Sequence, residues 1–105
     1  MKILVLGAGM IGTAIALDMA SKYEVTSVDL DPIRLNMVVS RNKAINAVLL
    51  DVTSKNELAN TLKSFDLVIN AVPGFLGFNI LKTIIEADKN VVDISFFPED
   101  GLQLD

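Results

Sequence analysis

The chain has 105 residues, of which 51% are hydrophobic and 21% are charged, and this is the composition of one globular domain. Its formal net charge of -4 argues against a nucleic-acid partner, which requires a basic surface. The chain contains no cysteine and no histidine, so we expect no disulfide, no thiol nucleophile, no histidine base and no metal site. No apolar run approaches the ~20 residues that span a bilayer, so we expect no membrane partner and a cytoplasmic protein.

Short apolar runs alternate along the chain with stretches of helical pattern. The runs are rich in Val, Ile and Leu with little alternation, which predicts strands buried on both faces of a parallel sheet, at 3–6, 25–28, 47–50, 67–69 and 91–94. Helices are predicted between them, at 11–21, 32–40, 55–64 and 76–87. Such alternation requires right-handed crossovers, so the sequence predicts one α/β domain of the Rossmann type, a doubly wound parallel sheet of about five strands with helices on both faces.

Three local signals support the predicted helices. One face of the first predicted helix is expected to lie on the sheet, because its residues recur at helical spacing: Gly12, Ile15, Ala16 and Met19. Asp31 is a typical N-cap, followed by Pro32 at the first helical position. Residues 54–57, which read Ser-Lys-Asn-Glu, predict a capping box at the start of the third helix.

The first strand runs directly into the motif Gly7-x-Gly9-x-x-Gly12, and a helical pattern follows at once. This strand–turn–helix context is the one in which such glycines bind a dinucleotide. Gly7 permits the tight turn, Gly9 lets a pyrophosphate approach the backbone, and Gly12 lets the helix lie close to the sheet. We include the intervening Met10 and Ile11 in the predicted cofactor site. The alternative, an ordinary glycine turn, is less favoured because of this placement.

The apolar runs end on small or polar residues, namely Gly7, Asp29, Asp51, Asn70 and Asp93. In an open parallel sheet these carboxyl ends lie side by side, and ligands bind in the crevice beyond them. Polar residues also serve turns, which is the simpler interpretation of any one of them. Together, beside a glycine-rich turn, they favour a binding site.

Asp29 lies 22 positions after Gly7, at the end of the second predicted strand. That spacing suits the carboxylate that accepts hydrogen bonds from the adenosine ribose, and it predicts NAD in preference to NADP, because a carboxylate repels the 2′-phosphate. The alternative is a turn aspartate that acts with Asp31 to cap the next helix. We place Leu30 in the same site. Arg34 is predicted to meet a phosphate or stack on adenine, or else to be a solvated surface arginine.

The ends of the third and fourth strands complete the predicted cofactor site. Asp51 is expected to accept from the adenine amino group and Val52 to pack on the ring, although a plain turn before Ser54 explains the pair equally well. Residues 70–73 (Asn70, Ala71, Val72 and Pro73) are predicted to border the nicotinamide ribose and pyrophosphate, mainly through the backbone of Ala71 and Val72. The alternative is a plain strand-to-helix turn.

Polar residues beside the predicted nicotinamide position are few. Only Asp93 and Ser95 are candidates for touching a substrate there, and each equally suits a role in holding its loop. The sequence offers no convincing general base. We therefore assign no catalytic residue to this chain.

Two stretches, LVINAVPGFL at 67–76 and VVDISFFPED at 91–100, resemble the saccharopine dehydrogenase and lysine dehydrogenase family. The resemblance covers essentially the whole chain as that family's N-terminal NAD(P)-binding domain. It implies that the glycines form the phosphate loop, Asp29 the ribose acid, 51–53 the adenine-side turn and 70–73 the loop beside the cofactor. It also implies an oxidoreductase that moves hydride between nicotinamide C4 and a C–N bond of an amino acid.

The resemblance further implies that residues 1–105 are the dinucleotide-binding part of a longer enzyme. Members continue into a C-terminal domain for substrate binding and dimerisation, so we expect an amino-acid substrate only with that domain, a homodimer as one assembly, and cofactor binding with little or no turnover here. A competing interpretation is a nucleotide-sensing regulatory module of the potassium-transport type, which shares the glycine loop, the strand-2 acid and the Asp-x-Thr turn. Residues 70–73 favour the dehydrogenase.

Overall fold

The computed structural model describes residues 1–72 and 74–94, with the backbone alone described at 74–78. Strands and helices alternate throughout this part of the chain. In chain order the elements are β1 (Lys2–Leu6), α1 (Met10–Met19), β2 (Glu24–Asp29), α2 (Pro32–Arg41), β3 (Asn46–Leu49), α3 (Lys55–Leu62), β4 (Leu67–Asn70), α4 (Gly74–Glu86) and β5 (Asn90–Asp93). Every predicted strand and helix is present, and their ends differ from the predicted ones by at most two residues.

The five strands form one parallel sheet in the order β3-β2-β1-β4-β5. From β1 the chain builds outwards through β2 and β3, then returns to the other side of β1 to build β4 and β5. The strand order therefore reverses between β1 and β4, and a crevice opens there beyond the carboxyl ends of the strands. The predicted doubly wound α/β fold of the Rossmann type is confirmed.

The core has two layers, one on each face of the sheet, because successive side chains of a strand point to opposite faces. On β1, Ile3 and Val5 pack towards α1 and α2, while Leu4 and Leu6 pack towards α3 and α4. Each fully buried aliphatic side chain contributes about 1.5–3 kcal/mol relative to exposure. The central strand is thus fixed from both sides, which holds its carboxyl end, and the turn that follows it, in a defined position.

The expectation that all strands are buried on both faces is wrong for the two outer ones. All four residues of β3 are exposed, and Val91 is the one residue of β5 that is partly buried. Both strands lie at the edges of the sheet, where a strand has one neighbour and incomplete cover. An apolar sequence alone does not distinguish such a strand from a central one.

The helix signals are confirmed at two helices and wrong at a third. On α1, Gly12 and Ala16 are buried, and Ile15 and Met19 pack against the same core layer. At α2, Asp31 accepts a hydrogen bond from the Ile33 N–H at 2.9 Å. The capping box at α3 is absent, because the Ser54 side chain makes no capping hydrogen bond.

No helix in the described residues has both the length and the apolar character required to cross a bilayer.

Candidate functional site

The turn between β1 and α1 is built on two glycines that the fold requires. Gly7 has φ of +99°, which side-chain-bearing residues rarely adopt, and its N–H donates to the Val28 carbonyl at 2.8 Å. A Cβ at Gly12 would overlap the carbonyl of Gly7, whose carbon lies 2.8 Å away. These glycines therefore allow the tight exit from β1 and the close approach of α1.

Gly9 differs, because no described residue fills the space where its side chain would be. A Cβ there would meet only the Arg34 guanidinium, at 3.9 Å. Gly9 is also the N-cap residue of α1, and the helix has no side-chain cap and no acidic residue in its first turn. The positive end of the α1 dipole thus lies next to the space at Gly9, which is an arrangement suited to an anion.

Asp29 connects this turn to the end of β2. One carboxylate oxygen accepts from the Ala8 N–H at 2.7 Å, and the other accepts from the Asp31 N–H at 2.8 Å. The side chain is 13% exposed. Each oxygen retains a second acceptor position, so the carboxylate can hold both loops and still accept hydrogen bonds from a ligand hydroxyl.

Arg34 lies across the mouth of the site, on the first turn of α2. Its Nη1 atom is 4.0 Å from Asp29 Oδ2, and its Nε atom is 3.7 Å from Asp31 Oδ2. Both distances exceed hydrogen-bond length, and the side chain is 57% exposed. The arginine is therefore a loosely held surface cation next to two carboxylates.

Asp51 closes a short turn after β3. Its carboxylate accepts hydrogen bonds from the hydroxyl and the backbone N–H of Thr53. These two bonds, the hydroxyl first, lower the pKa of Asp51 below its usual 3.8. The carboxylate is thus ionised at neutral pH and already bonded within its own turn.

These parts meet in a cavity of about 460 Å³ at the carboxyl ends of β1, β2 and β4. Of the predicted site residues that the structure describes, all except Asn70 line it, together with Val28 and Thr53. The lining residues are Gly7, Gly9, Met10, Ile11, Gly12, Val28, Asp29, Leu30, Arg34, Asp51, Val52, Thr53, Ala71 and Val72. Thr53 belongs to the adenine-side turn that the family resemblance implied, whereas the sequence analysis missed Val28, because no sequence signal separates it from the core.

Asn70 lies below the cavity. Its side chain is fully buried, and its Nδ2 atom donates to Asp93 Oδ1 at 3.3 Å, which joins the carboxyl ends of β4 and β5. A buried position at this strand end supports the loop above it, and a contact of Asn70 with the cofactor stays a prediction. Pro73 and Ser95 lie outside the described residues.

The chain matches the family model described as "Saccharopine dehydrogenase NADP binding domain" over residues 3–103. The chain belongs to this family. Membership confirms the resemblance to saccharopine dehydrogenases, and it makes the chain a dinucleotide-binding domain. The open helix terminus, the vacant space at Gly9 and the carboxylate at the end of β2 fit such a cofactor.

Solved structures share the fold of this saccharopine dehydrogenase-family domain. Apo saccharopine dehydrogenase (L-Glu forming) from Saccharomyces cerevisiae is 24% identical, with a TM-score of 0.79 over 91% of this chain and 22% of the yeast chain. WbmG from Bordetella bronchiseptica, solved in complex with NAD, is 16% identical, with a TM-score of 0.70 over 89% of this chain and 36% of its own. PbgP3 from Burkholderia pseudomallei is 19% identical, with a TM-score of 0.68 over 88% and 38%. This chain therefore spans well under half of each.

A separate depression of about 360 Å³ lies between α3 and α4, and it shares only Val52 and Thr53 with the first cavity. Lys55 and Glu86 form an ion pair at 3.0 Å across it. The hydrogen bond and charge of Lys55 lower the pKa of Glu86. This pair connects α3 to α4.

Proposed function

We propose that this chain binds NAD in the 460 Å³ cavity, as the cofactor domain of an oxidoreductase that transfers hydride to or from a C–N bond of an amino acid. One observation carries the proposal. A single cavity is lined by the glycine turn, the uncapped N-terminus of α1 and the carboxylate of Asp29. The glycine turn and the helix N-terminus suit a pyrophosphate, and the carboxylate suits a ribose.

The pyrophosphate is proposed to lie against Gly9, with the N–H groups of Met10 and Ile11 directed at it. Gly7 and Gly12 act indirectly, because they set the turn and the closeness of the helix. Met10 is 90% exposed at the start of α1, so its side chain does not obstruct this approach in the described structure.

The adenosine half is proposed to lie over the ends of β2 and β3. Asp29 accepts hydrogen bonds from the ribose hydroxyls through the acceptor positions that Ala8 and Asp31 leave open. Leu30, an exposed apolar residue of the cavity, and Val52 contact the adenine ring. Asp51 accepts from the adenine amino group. NAD is favoured over NADP because the fixed negative charge of Asp29 repels a 2′-phosphate.

The nicotinamide half is proposed to lie along Ala71 and Val72, with Asn70 and Pro73 shaping that loop. The nicotinamide ring, when bound, supplies the hydride acceptor or donor. The chain's own residues bind and orient the dinucleotide, and we assign none of them to proton transfer. An amino-acid substrate, and contacts between subunits of a dimer, would then involve a further domain, consistent with coverage of only 22% of the yeast enzyme.

Calorimetric titration with NAD tests this proposal. Wild-type protein is expected to bind one NAD per chain, and Gly9→Ala is expected to lose at least about tenfold in affinity, since a methyl group would enter the pyrophosphate position. Lys63→Gln, a surface change at the end of α3, serves as the matched control and should bind as wild type does. Absence of NAD binding by the wild type would overturn the proposal.

Hydride transfer is tested separately. We expect negligible oxidation of lysine or saccharopine by this chain with NAD, because the amino acid lacks a second wall to hold it beside the nicotinamide. Turnover comparable to that of a complete enzyme would contradict this part. Tighter binding of ATP or ADP than of NAD would favour the nucleotide-sensing alternative.

A further inference from the structure

The side chain of Thr13, in the first turn of α1, bonds to the glycine turn that precedes the helix. Its Oγ1 atom donates to the Ala8 carbonyl at 3.1 Å, and Ala8 lies five positions earlier in the chain. A threonine inside a helix ordinarily bonds to a carbonyl three or four positions back. Thr61 on α3 and Thr83 on α4 do so, each with the carbonyl four positions back. The Thr13 hydroxyl therefore acts outside its own helix.

The glycine turn is a part of the backbone that needs such a contact, because glycines flank Ala8 on both sides. Gly7 and Gly9 have no Cβ to restrict their backbone angles, so the peptide units around Ala8 rotate more freely than ordinary ones. A turn that samples several orientations must be ordered when a ligand binds, and this ordering lowers the affinity.

Hydrogen bonds hold three successive peptide units of the turn. The Ala8 N–H donates to Asp29 at 2.7 Å, and the Gly9 carbonyl accepts from the Thr13 N–H at 2.9 Å. Between these two bonds lies the Ala8–Gly9 peptide, whose carbonyl accepts from the Thr13 hydroxyl. Within the described residues, no backbone N–H donates to that carbonyl. The orientation of the middle peptide therefore depends on the hydroxyl.

The direction of the Gly9 N–H follows from this bond. The Ala8–Gly9 peptide is trans and planar, so its C=O and N–H groups point in opposite directions. Since the carbonyl points towards Thr13, the Gly9 N–H points away from it. Thr13 lines a groove between α1 and α2 and not the 460 Å³ cavity, whereas Gly9 borders both. The hydroxyl thus acts on the cavity from behind the turn.

We propose that Thr13 is a positioning residue for the pyrophosphate, because its hydroxyl fixes the Ala8–Gly9 peptide before the cofactor binds. The inference rests on the proposed dinucleotide function. The hydroxyl affects only the part of the ligand that contacts the glycine turn. The affinity for NAD therefore depends on it, whereas the affinity for adenosine, which has no phosphate and would contact the ends of β2 and β3, does not.

The test compares two substitutions of Thr13. Thr13→Val keeps the branched side chain and removes the hydroxyl, whereas Thr13→Ser keeps the hydroxyl. Dissociation constants of NAD and of adenosine are measured for each by titration followed in ¹H–¹⁵N spectra. We expect Thr13→Val to weaken NAD binding by about three- to tenfold and adenosine binding by less than about twofold. Thr13→Ser should bind both ligands within about twofold of the wild type.

Thr61→Val is the matched control, because it removes a hydroxyl-to-carbonyl bond of the same kind from α3. It should change neither dissociation constant.

The outcomes distinguish this inference from the proposed function. If the wild type does not bind NAD, the proposed function is wrong and the role of Thr13 is wrong with it. If the wild type binds NAD and Thr13→Val binds it equally well, or Thr13→Ser loses as much affinity as Thr13→Val, only the positioning role is wrong. Equal losses of NAD and adenosine affinity in Thr13→Val, or the same loss of NAD affinity in Thr61→Val, would indicate a general effect on the domain and would also overturn the inference.

Discussion

Gly7, Gly9 and Gly12 lack side chains for three different physical reasons. Gly7 has a positive φ, Gly12 packs against the backbone of Gly7, and Gly9 has open space beside it. The first two glycines stabilise the fold, whereas the third is proposed to leave room for a ligand. Substitution by alanine should therefore separate folding from binding.

We expect Gly12→Ala to lower the free energy of unfolding by about 1–3 kcal/mol, since the added methyl group overlaps a rigid carbonyl. Gly9→Ala should cost only about 0.5 kcal/mol, because alanine is a poorer N-cap but meets no backbone atom. Urea denaturation followed by circular dichroism measures both. Equal costs at the two positions would contradict this assignment.

The Asp29 carboxylate needs both of its oxygens as acceptors. Asparagine offers one oxygen, so Asp29→Asn would place an N–H₂ group against a backbone N–H and should cost about 1–3 kcal/mol. Asp31→Asn is the matched control, because asparagine caps a helix as well as aspartate does. If thermal and urea unfolding show the same loss for both variants, the bridging role of Asp29 is wrong.

Sequence spacing predicted which residues gather at the cavity, but not every contact that they make. Asp29 was predicted from its distance to Gly7, whereas its bond to the Ala8 N–H joins residues 21 positions apart and needs the sheet to bring them together. Asn70 was predicted to border the cofactor, and the structure adds a hydrogen bond from its side chain to Asp93 that joins β4 to β5. The position of Asn70 at the end of a strand did not predict that its side chain is buried.

At the scale of elements, the two predicted helix caps behave differently. Asp31 accepts from the Ile33 N–H, while the Ser54 side chain does not cap α3, and the preceding turn is held by the hydrogen bonds to Asp51. Asp31→Ala should therefore cost about 1 kcal/mol and Ser54→Ala less than about 0.5 kcal/mol. Thermal denaturation compares them. A larger loss of stability for Ser54→Ala than for Asp31→Ala would indicate that Ser54 does cap α3.

A buried leucine on α3 and an exposed leucine on the outer strand β3 provide a second comparison. Leu58 on α3 is fully buried in the core, so Leu58→Ala should cost about 2–5 kcal/mol. Leu49 on β3 is exposed, and Leu49→Ala should change stability by less than about 0.5 kcal/mol. Residue type alone does not distinguish these two leucines. Whether each leucine is buried depends on the order of the strands in the sheet, which a sequence pattern predicts less directly than it predicts the strands. Similar losses of stability for the two variants would contradict the position of β3 at the edge of the sheet.

At the scale of the whole molecule, the pKa values of Asp51 and Glu86 lie below their usual 3.8 and 4.5, so the folded state binds fewer protons than the unfolded state. Their stabilisation is present above those values and is lost as the pH falls through the lower folded values. We expect the melting temperature to fall below about pH 5. Glu86→Gln and Lys55→Gln should each flatten this decline, because either removes the ion pair. If the melting temperature of these variants falls with pH as steeply as that of the wild type, the Lys55–Glu86 ion pair is not the cause of the acid sensitivity.

The topology of the domain was predictable because local signals agree with it throughout. Buried parallel strands, right-handed crossovers and a glycine turn at the first strand end all require the same doubly wound sheet. The site lies where that sheet reverses its strand order, so its position follows from the fold. The identity of the ligand needs the chemistry of individual side chains at that position.

The most direct test of the central claim is a two-dimensional ¹H–¹⁵N spectrum of this chain, titrated with NAD. We predict the largest shifts at the amides of residues 7–12, at the start of α1, and of residues 29–31 at the end of β2, with small shifts in the α3–α4 depression. Shifts confined to that depression, or none at residues 7–12 with NAD in excess, would contradict the account.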